Sequence, residues 1–173
     1  MPGWSPEIAN EFIRMGRQRG HSFNQMQLQK LVYVAHGWTL AQVGQPLTGD
    51  RPEAWSFGPV YRRLSDALAH YGIAPVTSEI KTNEFQPSSS INAQPKTARA
   101  DLIPFEMDTI AMVYQDYGRL DSCHLSLITQ TVGTPWARVF ADGAGEFKDI
   151  PHDLVRAQFV EFAEEAENSE ESS

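Results

Sequence analysis

Cysteine is nearly missing from this chain of 173 residues, and its single copy, Cys123, cannot close an internal disulfide. The fold therefore has to rest on its core, and the chain suits a reducing compartment. No window approaches the roughly 18 consecutive apolar residues that a membrane helix needs. The start, MPGWSPEIANEF, has neither the basic region nor the apolar run of a secretory signal, so the expected location is the cytoplasm. Positive charge is also scarce. Lys and Arg number 14 against 22 Asp and Glu, a net charge of -8. That balance argues against a general nucleic-acid binder, which needs a clustered basic surface for phosphates.

The marks of common chemistries are absent as well. The five histidines, His21, His36, His70, His124 and His152, show no His-Glu-x-x-His spacing, and no cysteine pair exists. There is no glycine-rich phosphate loop: the stretch from Ala141 to Glu146 lacks the lysine and hydroxyl residue that such a loop requires. No Gly-x-Ser-x-Gly elbow occurs. Cys123 and His124 are adjacent, and adjacent helical residues point about 100° apart, so they are not by themselves a nucleophile and base. The bland reading makes Cys123 a small buried thiol. The expectation is a protein without catalytic residues, metal or cofactor, with an enzyme using Cys123, His124 or His36 as the rival.

What the chain does contain reads as mainly α: a single helical fold of about six helices with a small extended or β element in the middle. In residues 5–19, Ser5 is expected to cap, Pro6 suits the first turn, and Ile8, Phe12 and Met15 share a face. Asn24 and Gln27 have capping-box spacing, with Phe23 and Leu28 placed as a hydrophobic staple. Leu28, Leu31, Val32, Ala35 and Trp38 then recur at helical spacing up to Gly44. EAWSF is expected to be extended, and Pro59 to open the next helix, which ends at Gly72. Residues 76–100 are polar and read as a loop or marginal hairpin, from 80–85 and around Ile91. Ile110, Val113, Tyr114 and Tyr117 form one helical face that Gly118 ends, and further helices follow from Asp121 or Ser122, from the Thr134 cap with Pro135, and from about Pro151. The domain is placed at 1–160, followed by an acidic, frayed tail at 161–173. Residues 1–100 carry ten basic and seven acidic side chains, so most of the negative charge lies beyond them.

Within the second helix, His36 is read as a half-buried hydrogen-bonding residue, and Gln29 and Lys30 as part of a solvated face. The segment EAWSFGPVYRRL, residues 53–64, is both a chain-turning corner and a possible surface. Tryptophan, tyrosine and arginine are the residues that most often anchor interfaces. Trp55, Phe57, Tyr61, Arg62 and Arg63, together with Lys30 and His36, are the candidate partner-binding residues.

Three segments together carry a resemblance: LQKLVYVAHGWTLAQVGQPLTGD, EAWSFGPVYRRL and LSLITQTVGTPW. In order and spacing they resemble the Panacea antitoxin-domain family, also described as SocA-like or phage-associated GepA-like, over about residues 24–140. Matching positions include Gln29, Lys30, His36, Trp38, Trp55, Gly58, Pro59, Thr129 and Trp136. Where the family tends to have histidine after the threonine, this chain has Gln130. The resemblance implies a non-enzymatic antitoxin that neutralises a cognate protein toxin, encoded by an adjacent gene, through direct binding. Alternatively it implies an adaptor that delivers the toxin to the ClpXP protease, or a phage or mobile-element protein that binds another host target.

Overall fold

One helix stands at the centre of the computed structural model, which describes residues 2–86 and 94–172. This is α2, Gln25–Val43. Leu28, Leu31, Val32, Tyr33, Val34 and Ala35 are all fully buried, so the apolar surface runs round the whole helix rather than along one stripe. Around it pack α1 (Ser5–Gln18), α3 (Arg62–Leu68), α4 (Pro104–Tyr117), α5 (Ser122–Gln130) and α7 (His152–Glu171). The short α6 (Pro135–Phe140) packs on α5 and α7. The fold is mainly α, as the sequence indicates, with seven α-helices among the described residues rather than about six. The β element is a two-stranded antiparallel hairpin, β1 (Glu53–Trp55) and β2 (Gly58–Val60).

The local signals that need no distant partner are realised. Asn24 and Gln27 exchange side-chain and backbone hydrogen bonds of 2.9 Å each at the start of α2. Gly44, at φ 71°, closes that helix in the left-handed conformation that glycine adopts without strain. Thr134 caps α6 by accepting a hydrogen bond from the Ala137 amide.

The α1 cap is different from the expected one. Trp4, not Ser5, is the capping residue, and Ser5 begins the helix. The Ser5 amide and hydroxyl donate to the two oxygens of Asp50, at 2.8 and 2.5 Å. A carboxylate 45 residues away thus does the work of a local cap and sits at the favourable end of the helix dipole.

Pro59 does not open a helix. It lies in β2, opposite Ala54, and α3 begins only at Arg62. Proline is tolerated there because it is a hairpin residue whose missing amide costs no ladder bond. The polar segment after α3 is held by buried Asn10. Its Nδ2 donates to the carbonyls of Ile80 and Ala98 at 2.9 Å, and its Oδ1 accepts from the Ile80 amide at 2.7 Å. Lys81 and Thr97 form an antiparallel bridge beside it, followed by a single 3-10 turn at Thr82–Glu84. Ile91, the other half of the expected hairpin, lies outside the described residues.

α7 docks on α2 through Val155 and Phe159, both fully buried. Phe159 meets Tyr33, Trp38 and Phe162 edge to face. A fully buried phenylalanine contributes about 2–3 kcal/mol by burial. Residues 161–171, expected to fray, continue the helix, and their side chains are exposed from Glu164 onward.

Candidate functional site

The three sequence segments of the resemblance meet at the hairpin. In its register Glu53 pairs with Val60 and Trp55 with Gly58, leaving Ser56 and Phe57 as the turn. Gly58 has φ 112°, which side-chain-bearing residues rarely adopt, and a Cβ there would lie 3.0 Å from the Gln130 side chain. Glycine is therefore required twice over.

Three side chains from the helices fasten the hairpin backbone. Trp136 Nε1 donates to the Trp55 carbonyl at 2.7 Å. Gln29 clasps the Tyr61 peptide groups, accepting from its amide at 2.9 Å and donating to its carbonyl at 3.1 Å. Lys30 Nζ donates to the Phe57 carbonyl at 3.4 Å. On the other edge, the Phe147 amide donates to the Ala54 carbonyl at 2.7 Å, and the Ala54 amide to the Lys148 carbonyl at 2.8 Å. The corner is thus held from both sides and is rigid.

This overturns the solvated reading of Gln29 and Lys30, which are buried. Their polar groups face the hairpin backbone, because α3, α5 and β2 cover the side of α2 that a single helix would leave to water. Lys30 forms no ion pair among the described residues, and burial lowers its pKa from the usual lysine value.

The outer surface of the corner is aromatic. Phe57 is 69% exposed and Phe147 53% exposed. Trp55 meets Phe147 edge to face, with ring centroids 5.5 Å apart. Arg62 lies 5.2 Å from the Trp55 ring, and its Nη2 and Nε donate to Glu53 at 2.8 and 3.2 Å. Glu53 also accepts from Trp55 Nε1 at 3.0 Å. Phe147 has φ 67°, a conformation that costs a bulky residue roughly 1–3 kcal/mol. The pairing with Ala54 holds it there with its ring outward.

Of the seven candidate residues, Phe57 and Arg62 are exposed and Trp55 is partly so. Arg63 is half-buried and turns to the other side, 4.0 Å above the Trp4 ring. Tyr61, Lys30 and His36 are buried, so they support the corner from inside and offer no surface to a partner. Phe147 was missed by sequence reasoning. Its only signal is a lone aromatic after the Gly-Ala-Gly-Glu loop, and its place depends on pairing with β1.

His36 is fully rather than half buried. Its Nδ1 accepts from the backbone amides of Leu47 and Thr48, at 3.3 and 3.5 Å. The proton therefore sits on Nε2, which faces His152 Nδ1 at 3.3 Å. Burial, with His152 beside it, lowers the His36 pKa to about 3. Burial and the nearby Arg51 also lower that of His152. The pair ties α7 to α2 in the neutral form.

Cys123 is exposed, not buried, and His124 Nδ1 turns away to Asp121 at 2.8 Å. Its Asp121 partner also caps α5. Among the described residues no group of three or more potential metal ligands comes together. No helix there is long and apolar enough to cross a membrane.

Tryptophan and arginine, the residue types that most often anchor interfaces, thus lie together at this corner. The chain belongs to the family described as Antitoxin SocA-like, Panacea domain, whose model matches residues 28–137. It is similar to Antitoxin SocA of Caulobacter vibrioides (strain NA1000 / CB15N), with 29% identity over 141 residues, 80% of this chain and 70% of that protein. No solved structure matches.

Proposed function

We propose that this chain is a non-enzymatic antitoxin that neutralises a cognate protein toxin by direct binding, and that the hairpin corner is its contact surface. Family membership supports the antitoxin role. The observation that supports the surface is the outward group of Trp55, Phe147 and Arg62, with Phe57 exposed at the turn beside it in the chain, on a backbone fixed from both edges. A large, rigid aromatic contact loses little conformational freedom on binding, and this is the property that makes such residues interface anchors. The Glu53–Arg62 pair sets the guanidinium across the Trp55 ring, so the charged rim is ordered before the partner arrives.

Co-expression with the adjacent open reading frame tests this. Growth arrest by the neighbour alone, relieved by this chain with recovery of a stable complex, is the expected result. Phe57→Ser and Phe147→Ser together should abolish both relief and complex while the fold persists. Relief with loss of the neighbour protein and no complex would mean delivery to a protease instead. Relief that survives both substitutions would place the contact surface elsewhere.

A further inference from the structure

A second exposed apolar surface lies at the other end of α2. Val43, Pro46, Ile103 and Phe105 line a groove with a cavity volume of about 550 Å³, within the range of about 300–1,000 Å³ typical of ligand pockets. Val43 is 49% exposed and Ile103 58% exposed. The groove lies about 20 Å along α2 from Lys30, by the rise of 1.5 Å per residue, so it is separate from the hairpin corner.

Its walls are preformed. Thr109 Oγ1 on α4 lies 3.3 Å from Gln42 Oε1 on α2 and 3.0 Å from the Phe105 carbonyl, so one hydroxyl sits between the two helices. The Gly49 amide donates to the Gly3 carbonyl at 2.7 Å, which fixes the segment before α1, with Pro2, beside the groove. Phe105 and Ile103 sit at the start of α4, where Glu106 accepts from the Ile103 amide at 3.1 Å. Little rearrangement stands between this surface and a bound segment.

The electrostatics choose the occupant. Asp101 and Glu106 are the charged side chains of the lining, and among the described residues none of the lining is basic. The C-terminal end of α2 opens here, and its last turn carries no basic side chain to offset the negative end of the helix dipole. Arg99, two positions before Asp101, is not part of the lining.

We infer that this groove docks a cationic amphipathic segment of a protein partner. Two or three of its apolar side chains would sit against Val43, Ile103 and Phe105, and its lysines or arginines would meet Asp101, Glu106 and the end of α2. This is helix-in-groove recognition with a negative rim. It does not depend on the hairpin corner or on the antitoxin reading.

The probe is a labelled helical peptide of about 12 residues, three turns, made only of leucine and lysine on opposite faces. Its comparison is the same peptide with glutamate for lysine. Binding to the full chain is followed by fluorescence anisotropy at physiological salt. The leucine–lysine peptide should bind at least about tenfold more tightly than the glutamate one. Ile103→Ser with Phe105→Ser should weaken it by about tenfold, and Val43→Gln on the opposite wall should do likewise, with circular dichroism and thermal midpoint unchanged. Replacing the α7 glutamates Glu164, Glu165 and Glu167 with glutamine should leave binding in place. Equal binding of the two peptides would overturn the proposal. So would loss of binding only in the α7 variant, which would mean adsorption to the acidic helix. Self-association abolished by Ile103→Ser would make the occupant a second copy of this chain and overturn it too. None of these outcomes alters relief of toxicity through Phe57 and Phe147, so the two readings fail separately.

Discussion

Gly37 lies against the ring of Phe159: a Cβ at position 37 would come within 2.3 Å of it. The missing methyl group is the socket into which α7 inserts. Gly37→Ala should therefore push Phe159 out of its site and destabilise the fold by about 1–3 kcal/mol, the usual cost of overpacking a core. Urea unfolding measures this directly. An unchanged midpoint would mean that α7 is not seated through this contact.

Lys30→Met should stabilise the isolated protein by about 1 kcal/mol. The ammonium is buried without an ion-pair partner, and methionine fills similar space without the desolvation cost. The Phe57 carbonyl loses one long hydrogen bond, of 3.4 Å, which is a small loss beside the desolvated charge. A clear fall in stability would show that this bond holds the hairpin.

Acid should loosen the α2–α7 contact. The His36 pKa in the fold is about 3, and that of His152 is also lowered, whereas an unfolded histidine takes up its proton near 6.5. Between these values the unfolded chain binds more protons than the folded one. Stability is thus full above about pH 6.5 and falls as pH drops toward 3, by up to about 1.4 kcal/mol per pH unit for His36, with the half-exposed His152 adding in the same direction. Asp149 and Asp153 partly oppose the shift at His152. Urea unfolding at two pH values should show the loss, and His36→Gln should shrink the difference between them.

Gly58→Ala should cost more than an ordinary surface substitution. Both the φ of 112° and the nearby Gln130 side chain resist a Cβ. A loss of about 1–3 kcal/mol is expected. The double variant Gly58→Ala, Gln130→Ala removes the clash but not the strain, so it should recover part of that loss. Full recovery would mean that the backbone conformation is not strained.

Tyr33→Phe should be neutral or stabilising by up to about 1 kcal/mol. The Tyr33 hydroxyl is buried and has no hydrogen-bond partner among the described residues, so its loss removes a desolvated polar group. A drop in the thermal midpoint would reveal a bound water on that oxygen.

Signals carried within a few residues of sequence were legible. Asn24 with Gln27, Thr134 with Pro135, and Gly44 all act through their immediate neighbours, and the structure uses them as such. Signals that depend on a distant surface were not. Gln29 and Lys30 look solvated on a lone helix and become buried only when the hairpin closes over them. Pro59 has the sequence of a helix start, and only pairing with Ala54 makes it a strand residue. Phe147 owes its prominence to a backbone ladder with β1 that no spacing within its own loop announces. The aromatic character of residues 53–64 was readable. Which of those side chains face outward was a matter of register.

Asp50 gives a last consequence. The start of α1 is completed by a residue from inside the stretch that the family shares, and Asn10 of the same helix clasps the segment around Ile80 and Ala98. At the other end, Phe159 and His152 lock onto the same central helix. Both flanks are thus interlocked with the shared region, and neither is a detachable accessory. A chain cut to residues 28–137 would bare the flanks of α2 and leave polar groups without their mates. Moving this domain into another chain therefore has to carry the flanking helices along with the shared middle.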